Sequence, residues 1–247
     1  MLTRTFAAHW CSALLAGLGF AMLPCHMALA IDRPFLRLET ATVDDDGDQG
    51  LEASWLTSQS KLSRSHQLDG QINLTPEWAL EAQLGWSAER QGPDREKDLD
   101  LELRHVLIDH RREGWGLAVR GSLGWRRPDN NGWALEEKKL MAATLMPVWQ
   151  ERVFIHLNAG MAHTPSDAQT RPVWALGTES AARRSWGVFA EVAGHAAHER
   201  LLHAGLRWWI KKEKVALQWS RSVRHDLVTG LTEPSLHVGL TLYDLGD

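Results

Sequence analysis

Trp115-Gly-Leu-Ala-Val-Arg-Gly-Ser-Leu-Gly-Trp125 decides how this chain folds, because its two sets of alternate residues differ completely in polarity. Trp115, Leu117, Val119, Leu123 and Trp125 share one face, interrupted only by Gly121, while Gly116, Ala118, Arg120, Ser122 and Gly124 share the other. Period-two alternation marks a strand, in which successive side chains point to opposite faces of the pleat. The tryptophan at each end of the apolar row adds a second signal. About ten residues at a strand rise, tilted, cross a hydrocarbon layer and leave the two indoles at its two interfaces. A half-buried strand of a soluble sandwich shows the same alternation, so repetition along the chain has to decide.

The pattern does repeat. Leu51, Ala53, Trp55 and Thr57 form one apolar row, followed by Leu68, Gly70, Ile72 and Leu74, then Leu80, Ala82, Leu84 and Trp86. Leu99, Leu101 and Leu103 lead through His110–Gly114 into the stretch quoted above. Lys138 to Met146 would also suit a short helix, but the units on either side favour a strand. Five further rows start at Val153, Trp174, Trp186, Leu202 and Val215, and a last one at Leu236. About twelve strands result, an even number. Short links, such as those at Pro76 and at Lys211–Lys214, alternate with longer polar stretches at Glu89–Asp98, Arg126–Glu137, His163–Arg171 and Arg224–Pro234. Trp78, Trp115, Trp149 and Trp186 stand beside the short links. The expectation is an all-β protein, an antiparallel transmembrane β-barrel of outer-membrane type, with short turns facing the periplasm and long loops the exterior. A closed barrel leaves no unpaired edge in lipid, where unsatisfied backbone groups are not tolerated.

Composition bounds the rest. The mean hydropathy is −0.30, and the body of the chain has no uncharged apolar run long enough for a spanning helix. Arg4, an apolar run from Cys11 to Leu23 and the small-x-small Ala28-Leu-Ala30 read as a signal peptide over residues 1–30, leaving residues 31–247 as a single barrel domain. Both cysteines, Cys11 and Cys25, fall within that segment, so the exported protein needs no disulfide. With 27 Lys and Arg against 31 Asp and Glu, interspersed, there is no basic stripe and nucleic acid is a poor partner. The 13 tryptophans suit either a large core or interfacial belts. Expected partners are outer-membrane lipid, a small-molecule solute and, during insertion, the barrel-assembly machinery.

If the polar faces point inward, Glu52, Asp69, Glu81, Asp100, Glu102, Arg104, Arg120, His156, Glu179, Glu191, His203, Arg207 and His237 line a lumen. Two outcomes are open. A small barrel must fill its interior with side chains, so charges of both signs could form a structural plug. Alternatively Arg104, Arg120 and Arg207, oriented by Glu179 and Glu191, would line a passive channel for a small solute and attract an anionic or polar group. The acidic run Asp44–Asp48 could bind a cation, but a solvated charge run is the usual explanation. Ser65-His66 and Ser235-Leu-His237 form no hydrolase motif, and His195-Ala-Ala-His198 is a lone pair, so no enzyme, cofactor or metal is expected.

Four segments carry a likeness to a known family: Leu101-Glu-Leu-Arg-His-Val-Leu107 leading to Leu117–Leu123, Ala175-Leu-Gly-Thr-Glu179, Gly187–Val192, and Ala204-Gly-Leu-Arg207 with Leu236–Leu242. In order and spacing they resemble the outer-membrane family labelled meta-pathway of phenol degradation, transporters of proteobacteria. Arg127-Pro-Asp129 stands where that family has Pro-Thr-Gly, and Tyr243-Asp-Leu-Gly-Asp247 replaces a terminal aromatic. The resemblance implies an outer-membrane barrel with an uptake role and identifies no substrate.

Overall fold

The computed structural model describes Ala41 and residues 51–245 apart from 91–94, 130, 150–151, 181–184, 196–197, 212–213 and 244. The expected signal peptide and the Asp44–Asp48 run lie outside the described residues. Twelve strands follow one another: β1 (Leu51–Ser60), β2 (Ser63–Thr75), β3 (Trp78–Glu89), β4 (Arg95–Ile108), β5 (Gly116–Pro128), β6 (Ala134–Val148), β7 (Val153–Thr164), β8 (Gln169–Ser180), β9 (Trp186–His195), β10 (Glu199–Lys211), β11 (Val215–Asp226) and β12 (Thr232–Leu242). Between β4 and β5 lies one helical turn, α1 (His110–Glu113), capped by the Asp109 side chain and ended by Gly114 at φ 76°. Each strand pairs antiparallel with its neighbour in sequence, and β1 pairs with β12, with Trp55 opposite Leu240, to close the barrel.

The decisive stretch behaves as its alternation requires. Val119 and Leu123 are exposed on the outer wall, while Gly116, Ala118, Arg120 and Gly124 are buried inside. The same parity holds around the ring, and Leu101, Leu140, Leu157, Leu176, Leu206 and Val238 are all exposed outward. An apolar wall of this extent is untenable in water and suits hydrocarbon. Lys138–Met146, which also suited a helix, lies within β6, because its backbone is held by ladders to β5 and β7. Two tryptophan groups ring the wall. Toward the rim where β1 begins and β12 ends, here the terminal rim, Trp186, Trp208 and Trp219 stack with centroids 5.6–6.5 Å apart, and Trp78 stacks on His105 at 4.1 Å. Toward the opposite rim, His66 lies between Trp55 and Trp86, at 6.1 and 5.5 Å.

One expectation is overturned. Links do not alternate between short and long: they run from two to seven residues on the terminal rim and from two to five on the opposite one. Half of Glu89–Asp98 and most of Arg126–Glu137 and Arg224–Pro234 is strand. The apolar alternation stops where the hydrocarbon layer stops, whereas the hydrogen-bond ladder runs on into water, so polar strand ends read as loop.

Candidate functional site: the barrel lumen

The inward positions divide the lumen into two polar clusters. On one wall, register places Arg104 of β4 directly opposite Arg120 of β5, both almost fully buried. Two opposed guanidinium groups repel, and carboxylates from neighbouring strands separate them. Glu81 Oε2 of β3 lies 3.8 Å from an Nη2 of each arginine, and Glu102 pairs with Arg120. Arg104 Nη2 also donates to Gln71 Oε1 at 3.1 Å, and Gln71 Nε2 donates to Asn73 Oδ1 at 3.0 Å. Buried charge survives only when matched in this way.

On the other wall the bases are mostly imidazoles. Glu179 of β8 is shared between His156 Nε2, at 3.1 Å, and Arg207 Nη2, at 3.6 Å. The Arg207 guanidinium lies 5.8 Å from the centroid of Trp209 on its own strand. Glu191 of β9 stands opposite His203 of β10, its Oε2 3.3 Å from Nδ1. The edge of His203 meets His237 at 5.4 Å, and His237 Nε2 hydrogen-bonds Ser222 Oγ at 2.8 Å. Gly205 leaves the space that Phe189 fills beside His203: a Cβ there would lie 2.6 Å from Phe189 Cζ.

Between the walls is a cavity of about 230 Å³. Seven carboxylates border it, those of Glu52, Asp69, Glu81, Asp100, Glu102, Glu137 and Glu199, against two permanent cations, Arg120 and Lys139. Lys139 lies 2.5 Å from Glu137, which also approaches His195 Nε2 at 3.6 Å. Toward the terminal rim the interior turns apolar: Ala118, Ala143, Leu145 and Phe154 pack with Ala41, and Trp209 packs with Ala216 and Tyr243.

The five residues singled out from sequence, Arg104, Arg120, Glu179, Glu191 and Arg207, all face inward and are buried. Only Arg120 borders the cavity. Arg207 meets Glu179 as expected, but Arg104 and Arg120 pair with Glu81 and Glu102, which are nearer in register. Glu137 was missed because it ends a stretch read as loop, Lys139 because Lys138–Met146 was read as strand without assigning its faces, and Glu199 because it lies between two apolar rows; extending the period of β6 back from Met141 would have placed Lys139 and Glu137 inside. Of the buried inward apolar residues, alternation alone already sets Phe189 and Trp209 opposite the outer rows, whereas Leu145, Phe154 and Leu201 were hidden by apolar neighbours on those rows. Ser65 and His66 occupy alternate faces of β2 and cannot converge. Ser222 and His237 do meet, but His237 Nδ1 has no hydrogen-bond partner among the described residues, so the group that would orient a serine-activating base is missing. Among the described residues no three His, Cys, Asp or Glu cluster to hold a metal.

The barrel has the fold of outer-membrane porins and channels. The KdgM porin in complex with disordered oligogalacturonate is similar over 77% of this chain and 98% of that one, with 7% identity and a TM-score of 0.56. The NanC porin matches over 78% and 98%, with 9% identity and a TM-score of 0.52. The COG4313 outer membrane channel from Pseudomonas putida F1 matches over 81% and 100%, with 12% identity and a TM-score of 0.53. At such identities the likeness is one of fold. No curated protein matches the sequence. The comparisons bear out a relationship to outer-membrane barrels but not the phenol-degradation label. Residues 26–225 match the model described as Uncharacterised conserved protein UCP029691, and the chain belongs to that family.

Proposed function

We propose that the protein is a narrow, passive outer-membrane conduit that favours small cationic or neutral polar solutes over anions. The observation that carries this reading is the lining of the central cavity, seven carboxylates against two permanent cations. In a confined space with low-dielectric walls, one sign of charge raises the local concentration of the opposite ion. The reading departs from the one suggested by the arginines alone, because Arg104 and Arg120 are matched by Glu81 and Glu102 and Arg207 by Glu179. The fold shared with porins supports a transport role and an outer-membrane location; the solute is read from this chain's own lining. The test is the reversal potential of the refolded protein in a planar bilayer under a KCl gradient. Cation preference is expected, reduced by Glu52→Gln with Asp100→Asn. Anion preference in the parent protein would refute the reading.

The apolar packing of Leu145, Phe154, Trp209 and Tyr243 at the terminal rim favours a second reading, a structural barrel closed at that end. In that case the parent protein conducts nothing, and Phe154→Ala with Trp209→Ala opens it.

A further inference from the structure

The outer wall of β2–β5 carries cations where the opposite rim begins. Lys97 of β4 stands directly opposite Arg127 of β5 on one side and Trp86 of β3 on the other. Ala88 of β3 stands between Arg64 of β2 and Arg95 of β4. All four cations are exposed and lie on outward positions that continue the apolar rows. Among the described residues none of the four has an ion-pair partner, and Arg127 makes one hydrogen bond, from Nε to the Asn131 carbonyl oxygen at 3.2 Å. Like charges directly opposite on neighbouring strands destabilise a sheet unless an anion lies between them.

The same wall holds a groove of about 580 Å³ lined by Arg64, Arg95 and Lys97, with Leu84 and Trp86 on the side toward the hydrocarbon. Two acidic residues also line it, Glu96 from an inward position of its strand. Glu96 is bound to Arg126 at 2.7 Å, and Asp129 sits at the rim. The groove therefore joins an apolar lower half to a cationic upper half at the level of the aromatic belt, where headgroup phosphates lie.

We propose that this groove binds a membrane lipid whose headgroup carries more than one phosphate, such as the bisphosphorylated glycolipid of a bacterial outer leaflet. Arg64 and Arg95 hold one phosphate by the forked geometry that suits guanidinium, and Lys97 and Arg127 hold the other. An acyl chain lies along Leu84 and Trp86. The occupant is a lipid and not free phosphate because the lower half of the groove is apolar and faces outward.

The experiment is native mass spectrometry of the refolded full barrel in detergent micelles doped with bisphosphorylated lipid A, with phosphatidylglycerol, or with inorganic phosphate alone. The parent protein is expected to retain one lipid A, and Lys97→Gln with Arg127→Gln to weaken retention about thirtyfold, taking the usual contribution of a Lys or Arg at an anionic membrane surface. Arg221→Gln, an exposed outward position on β11, is expected to retain lipid A as the parent does. Heat-modifiable gel mobility confirms that each variant is folded, and Arg64→Gln alone is expected to weaken retention if the double variant does not fold. Equal retention by parent and variants overturns the proposal. So does retention of phosphatidylglycerol as strong as that of lipid A, or occupancy by inorganic phosphate alone. The proposal rests on the barrel lying in a bilayer but not on conduction, so lipid retention without conductance refutes the channel reading only, and conductance without retention refutes this one only.

Discussion

Glu179 shows at the scale of one residue how the lumen is held. Its two oxygens face two different bases, His156 Nε2 at 3.1 Å and Arg207 Nη2 at 3.6 Å, in a site from which water is largely excluded. Removing one partner of a buried pair costs more than forming it contributes, because the charge left behind has been desolvated. Glu179→Leu is therefore expected to destabilise the barrel by about 3–5 kcal/mol. Glu179→Gln, which still accepts a hydrogen bond, should cost less, and urea unfolding in lipid vesicles separates the two. Equal costs would mean that volume and not charge matters at that position. Gly205 makes the steric counterpart. A Cβ there would lie 2.5 Å from Ser220 Cβ and from the Trp219 carbonyl oxygen, and backbone cannot swing aside. Overpacking of this kind in Gly205→Ala should cost about 1–3 kcal/mol by the same assay.

At the scale of the element, the two faces of a strand predict opposite tolerances. Val119→Arg places a charge in the hydrocarbon and is expected to cost about 2–4 kcal/mol, whereas Ser122→Lys enters a lumen that already contains Glu102 and should cost much less. This asymmetry was legible in the sequence because alternation is a local property of each strand. Strand ends were not legible. Arg126 and Lys97 look like loop residues, yet they are held in ladders, Arg126 opposite Asp98 and Lys97 opposite Trp86. Nor could the sequence say which carboxylate meets which arginine. That depends on register, and a slip of two residues would keep every face and change every partner. Turns carry their own chemistry. In the β7–β8 turn the backbone N–H of Gln169 donates to Asp167 Oδ1 at 3.0 Å, and Arg171 Nη2 lies 2.5 Å from Oδ2. The Gln169 N–H first, and then Arg171, hold the Asp167 carboxyl below its ordinary value of 3.8. The unfolded chain binds the proton more readily, so this contribution to the turn is complete above that ordinary value and is lost as pH falls through the depressed one. Amide exchange at Gln169 should accordingly quicken only in acid below that range.

At the scale of the whole molecule, the near-equal links remove any guide to orientation from loop length. The proposed lipid site supplies one: Arg64, Arg95, Lys97 and Arg127 all lie toward the opposite rim, and a lipid bearing more than one phosphate there would put that rim in the leaflet richer in phosphate. The sequence has only two cysteines, Cys11 and Cys25, and with both replaced by Ser a single introduced cysteine reports cleanly. Thr229→Cys, in the β11–β12 link, is expected to react with a membrane-impermeant maleimide on intact cells, and Glu77→Cys, in the β2–β3 link, only after the cells are opened. The reverse pattern would invert the barrel.

The closed ring also fixes the order in which the molecule can come into being. Eleven of its ladders join strands that are neighbours in sequence, and such hairpins can form as soon as both arms have emerged. The twelfth joins Trp55 to Leu240, across almost the whole described chain, and must bear the entropy of closing that long loop. Until it forms, β1 and β12 each present an open edge of unpaired amides and carbonyls to a solvent of lipid that cannot satisfy them. A chain that stopped before Thr232 would therefore forfeit one strand but two seams, and is expected to remain a curled sheet that any other open edge can join.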